Sequence, residues 1–174
     1  MSTIIIAAII IGSIVGVCLL LVTIHNKEKR IAMNNILKYF NQLGTENGLS
    51  FSSNEFLKNS IMGLDGLNRK ILVVKKEDGF YGSFLIDLKH VKDCSVKKIF
   101  GTINGGDLKN NKLEQYLEKI ILHFELYNKP ALEIVFYTHF ENHIYESIEL
   151  EKKARHWEAI LSKMRTPLQS GSLL

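Results

Sequence analysis

Between Ile4 and Ile24 the chain carries 21 consecutive residues with neither a charge nor a proline, and a cationic knot follows directly: Lys27, Lys29 and Arg30, opposed only by Glu28. Coiled as a helix, such a run reaches about 31 Å, the thickness of a bilayer's hydrocarbon core. A cleavable secretory signal would place its positive charge ahead of a shorter apolar stretch and small residues behind it. Here Met-Ser-Thr precedes the run without a charged side chain. The pattern predicts a retained signal anchor over residues 1–26, integral to the lipid bilayer. Because Lys and Arg accumulate on cytoplasmic flanks, the expected placement is the inner (cytoplasmic) membrane, crossed once, with the N-terminus outside and the remaining domain cytoplasmic.

With 174 residues, the chain has room for that anchor and one compact domain. Its 22 Lys plus Arg against 18 Asp plus Glu give a formal charge of +4, dispersed instead of gathered on one face, so no nucleic-acid partner is expected. The two cysteines are Cys18, inside the apolar run, and Cys94, in the domain, a usage that fits a reducing compartment. Ala8, Gly12 and Gly16 fall four apart on one helix face, where small residues let two backbones approach. They are the candidate face of a homodimer; small residues also occur in membrane helices with no pairing role.

A juxtamembrane helix is expected over 27–44, continuous with the anchor, since Met33, Ile36, Leu37, Phe40 and Leu43 recur at three- and four-residue spacing. Its stripe has three possible covers: lipid, the domain, or a second copy. A Gly- and Ser-rich stretch supplies a linker at 45–48, and the domain runs over 49–166. Within it the period changes. "NSIMGLD" and "RKILVVKK" are short apolar runs, Asp78-Gly79 marks a hairpin turn, and Phe84, Ile86 and Leu88 alternate along a half-buried strand. "DCSVKKIF" is a further strand with Cys94 and Val96 on one face. "EKIILHFELY" and "ALEIVFYTHF" form a hairpin that matches Ile120, Leu122, Phe124 and Leu126 with Leu132, Ile134 and Phe136. "KLEQYLEK", just before it, fits a helical turn or a strand. Leu150, Ala154, Trp157, Leu161 and Met164 then step along one face of a helix from about 142 to 165. Residues 167–174 form a tail.

This order, an α+β arrangement of short antiparallel strands closed by one amphipathic C-terminal helix, resembles a pleckstrin-homology-like (PH-like) domain, with "IMGLDGLNRKILVV" most like its opening hairpin. With the anchor in front, the chain resembles single-pass bacterial membrane proteins that carry such domains. The resemblance implies a partly open barrel plugged by the helix, a scaffolding or interaction role, and no catalytic residues. Arg69, Lys70, Lys75 and Lys76 lie near the first hairpin, but Asp65, Glu77 and Asp78 dilute them and the family's spaced basic motif does not line up, so phosphoinositide binding is not implied.

Candidate chemistry is sparse. His139 and His143 in "HFENH" have a spacing that suits one metal only if the segment is helical throughout, and the strand pattern ends at His139. Cys94, four residues after His90, invites a nucleophile reading, yet its strand face is apolar. "GTINGGD" offers backbone amides for an anion without the lysine and hydroxyl of a nucleotide loop. No catalytic, cofactor or metal residues are assigned. Lys27, Lys29, Arg30 and Lys38 are candidates to face anionic lipid, or are simply solvated. The expectation is a non-enzymatic, membrane-anchored interaction or scaffold module binding an unidentified protein partner or its own copy. The alternatives are a small lipid- or metabolite-processing enzyme and an accessory subunit of a membrane complex.

Overall fold

The computed structural model describes residues 2–77, 79–103 and 114–164, with residues 2–15, 18, 25, 26, 28, 29, 103 and 114 described in backbone alone. A long helix, α1 (Ser2–Glu46), precedes strands β1 (Ser53–Phe56), β2 (Ser60–Asp65), β3 (Lys70–Glu77) and β4 (Phe80–Asp87). A 3-10 turn at Leu88–His90 leads into β5 (Val91–Ile103), β6 (Glu114–Leu126) and β7 (Leu132–Thr138), and helix α2 (Glu146–Met164) follows. The strands form two antiparallel sheets, ordered β1-β2-β3-β4 and β5-β6-β7.

The expected membrane architecture is corrected. Among the described residues no helix is long and apolar enough to cross a membrane. The uncharged run of α1 ends at Ile24. Beyond it come Lys27 and Arg30, and then a segment committed to the sheet. The transmembrane helix, the signal anchor, the single-pass topology and the inner-membrane placement with a cytoplasmic domain are therefore not carried forward. The fold is mostly antiparallel sheet with a C-terminal helix, preceded by a long helix that packs on the sheet.

That packing explains why β2 and β3 read as unbroken apolar runs. The four-stranded sheet is covered on both faces, so both side-chain sets must be apolar. Ile61, Leu72 and Val74 lie under α1, buried with Ile36 and Phe40 and flanked by Met33, Leu37 and Leu43. Met62, Leu64, Ile71, Val73 and Ile86 point the other way, into the main core shared with β5, β6, β7 and α2. Register keeps the sets apart, pairing Ile61 with Val74 and Met62 with Val73. Of the three covers open to the α1 stripe, the chain's own domain takes it.

Gly63 sits where this approach is tightest. A methyl group there would run into the Phe40 ring and come within 2.8 Å of Asn54 Oδ1 and Phe51 Cδ1. The Phe40 and Phe51 rings stack above it, centroids 4.5 Å apart. At the other end of β3, Glu77 pairs with Phe80, so the turn has two residues and Gly79 takes φ +87°, which glycine adopts without steric cost. Asp78 lies outside the described residues.

β6 and β7 pair as the alternation implied, Leu122 with Ile134 and Phe124 with Leu132. A register shift at Ile120/Ile121 lets Phe136 and Tyr137 both reach the main core. "KLEQYLEK" resolves as strand from Glu114. Ala154, Trp157 and Leu161 of α2 are buried in the main core, with Leu150 and Met164 packed at its margin.

Candidate functional site

The two sheets part beside β7. There a cleft of about 470 Å³ opens, walled by the 57–60 connection between β1 and β2, the end of β3 at Lys75–Glu77, and β7 from Glu133 to Thr138. Leu57, Val73, Phe84 and Phe136 give it an apolar floor, while four lysines (58, 75, 76, 119) and three glutamates (77, 133, 141) ring it. Two of the lysines are compensated locally, Lys75 by Glu77 and Lys119, whose Nζ lies 3.7 Å from Glu118; His123 Nδ1 lies 3.4 Å from Glu133. Lys58 and Lys76 form no ion pair among the described residues; Lys58 acts on Glu146 only at longer range.

One end of the cleft is held by a cap. The Thr138 N–H donates to Asn142 Oδ1 (3.1 Å), and the Asn142 side-chain amide and the His143 N–H both donate to Glu146 Oε2 (3.0 and 3.2 Å). These bonds, that from Asn142 foremost, hold the Glu146 carboxyl below its ordinary pKa. They also fix the start of α2 in the manner of a capping box. Behind them the Tyr137 hydroxyl is buried with no hydrogen-bond partner among the described residues, and its burial pushes the phenol pKa up.

On the opposite end of the four-stranded sheet, Asp65 organises the β2–β3 turn. Its carboxylate accepts from the Ser50 N–H (2.9 Å), the Asn68 N–H (2.9 Å) and the Asn68 side-chain amide (2.7 Å). Donors aimed at the charged form lower a carboxyl pKa; the Asn68 and Ser50 amides bring Asp65 down to about 2. This is a structural acid, remote from the cleft.

The residues singled out from the sequence are not gathered by the fold. His139 packs on Tyr116 with ring centroids 5.0 Å apart, and His143 stacks on Tyr145 at 5.2 Å. Among the described residues no group of three or more His, Cys, Asp or Glu side chains is placed to hold a metal ion. Cys94 is buried in the main core opposite Phe124, while His90 is exposed, its Nδ1 4.0 Å from an Asp87 carboxylate oxygen. Most of "GTINGGD" lies outside the described residues, as do the side chains of Ala8, Gly12 and Lys29. Gly16 faces open space; Lys27, Arg30 and Lys38 are exposed along α1.

What sequence reasoning missed is the outer edge of β7. A signal was present: β5 carries Lys92, Lys97 and Lys98, whereas "LEIVFYT" has neither lysine nor proline, the residues that commonly blunt a sheet edge. A comparison of the chain with protein-family models, with curated proteins and with solved structures matches nothing, so the functional reading rests on these residues alone.

Proposed function

We propose that the chain is a non-catalytic interaction module that binds a protein partner or a second copy of itself through the projecting part of α1. The observation that carries this is the exposure of Val17, Leu19, Leu20, Leu21, Val22 and Ile24, each 54–63 % accessible. At 100° per residue these six positions point to every side of the helix. A helix apolar all round belongs where something covers it on all sides, and an exposed apolar patch of this kind marks a site of association. From Met33 to Leu43 the same helix is packed on the sheet. Whatever covers the arm is thereby held at a fixed position relative to the domain.

Glutamine at Leu20, Leu21 and Ile24 together tests the reading by sedimentation velocity on the full chain. The wild type is expected to associate, with itself or with a co-purifying protein, and the triple variant to sediment as a monomer with unchanged circular dichroism. A wild-type chain that stays monomeric and partnerless, or that is captured only by lipid vesicles, sinks the proposal. The likeness to a PH-like domain is kept as part of the same proposal, supported by the order of antiparallel strands followed by a closing helix.

A further inference from the structure

We propose a second binding site, independent of the α1 arm: the outer edge of β7, with the cleft beside it, takes an acidic peptide in extended conformation as an added strand. Of the other three sheet edges, β5, β1 and β4, the first two are engaged by α2. On β5 the Val96 N–H donates to Glu158 Oε1 (2.8 Å) and Lys98 pairs with Glu151 (2.6 Å). On β1, Glu55 accepts from Trp157 Nε1 (3.2 Å) and pairs with Lys153 (3.2 Å). Among the described residues, β7 has β6 as its one sheet neighbour, and only Thr138, at its end, has its amide capped by a side chain. An edge strand with open backbone groups and no lysine or proline is a template for another strand.

Space and chemistry beside that edge fit such a guest. The cleft runs along β7 from Glu133 to Thr138, a length that about five extended residues would span at roughly 3.3 Å each. Backbone pairing then supplies affinity, while alternate side chains of the peptide drop onto the floor made by Leu57, Phe84 and Phe136 and give selectivity. Across the cleft from β7 stand Lys58 and Lys76, the two lysines of the rim without an ion pair among the described residues, while Glu141, likewise without one there, lies beyond Thr138 at the end of β7. Peptide carboxylates in the upward positions would meet the two lysines. The charge on that wall therefore favours an acidic strand over a basic one.

The test uses the full chain and a fluorescein-labelled, end-capped hexapeptide of alternating Val and Glu, read by fluorescence anisotropy. Saturable binding is expected, weakened about ten-fold in Lys58→Gln/Lys76→Gln and to a similar extent for an alternating Val/Lys peptide. Methylating the peptide's amides as two alternate sets separates strand pairing from mere pocket filling. One set, facing β7, should abolish binding and the other should be tolerated. Absence of binding by the Val/Glu peptide, equal binding of the Val/Lys peptide, an unchanged affinity in the lysine variant, or the same response to both methylated sets would each overturn the proposal. So would full displacement by millimolar inorganic phosphate, which would mark a site for free anions. The α1 arm variant keeps this binding, so the failure of one proposal is distinguishable from the failure of the other.

Discussion

At the scale of single residues, the positions that matter most are those whose partners lie far along the chain. In the sequence Asp65 opens the "DGLN" stretch that separates two apolar runs, but its role as acceptor needs the Ser50 amide, fifteen positions earlier, and no local pattern announces that. Its depressed pKa sets a sign. The folded state holds Asp65 ionised down to about pH 2, whereas an unfolded chain protonates it near 3.9; its contribution is complete above about pH 4 and is lost as pH falls through the folded value. Asp65→Ala should lower the urea midpoint at pH 7 and flatten the fall in stability between about pH 4 and 2. An unchanged acid limb in the variant would show that this carboxylate is not the titrating group. Gly63 makes the same point sterically. In the sequence it is a glycine inside an apolar run, a sign of close backbone approach whose neighbour only the packed helix identifies. Gly63→Ala should cost about 1–3 kcal/mol through overpacking against Phe40, measured by denaturant unfolding.

Among elements, legibility followed period. β2, β3, the β6–β7 hairpin and the α2 stripe stand out in the sequence because burial imposes alternation, continuity or helical spacing. β1 does not, because "SNEF" is largely exposed and owes its strand conformation to pairing with β2. β5 and β6 extend further than their apolar runs because their far ends pair beyond the core, where Ile99 and Phe100 are exposed. The uncharged N-terminal run pointed to a membrane span, yet no helix among the described residues is long and apolar enough to cross a membrane, and the part of α1 that the structure packs on the sheet lies beyond that run, from Met33 to Leu43. α2 contributes through polar contacts as well as its stripe, since Glu158 accepts the Val96 N–H at the margin of β5. Glu158→Ala leaves that amide without its acceptor and should destabilise by about 1–3 kcal/mol, while Glu158→Gln, which retains an acceptor oxygen, should lose clearly less. Equal losses in the two variants would mean that packing, not the hydrogen bond, is what the side chain provides.

In the whole molecule, two apolar clusters share one sheet. The outer cluster, under α1, and the inner cluster, under α2, are built from opposite faces of β2 and β3, so neither cover can leave without exposing strands that the other needs. This predicts one cooperative transition instead of a helix that peels away first. Trp157 is the chain's single tryptophan and is buried in the inner cluster, which makes its fluorescence a reporter for that side alone. Phe40→Ala removes the most enclosed ring of the outer cluster and should cost about 3–5 kcal/mol. If the sheet couples the clusters, the Trp157 fluorescence midpoint should shift by as much as the circular dichroism midpoint in this variant, although Phe40 and Trp157 lie in different clusters. Coincident curves from the two probes are the mark of a two-state transition. A fluorescence midpoint that ignores Phe40→Ala, with a separate early loss of helical signal, would instead make α1 a detachable arm whose docking on the sheet is an event of its own.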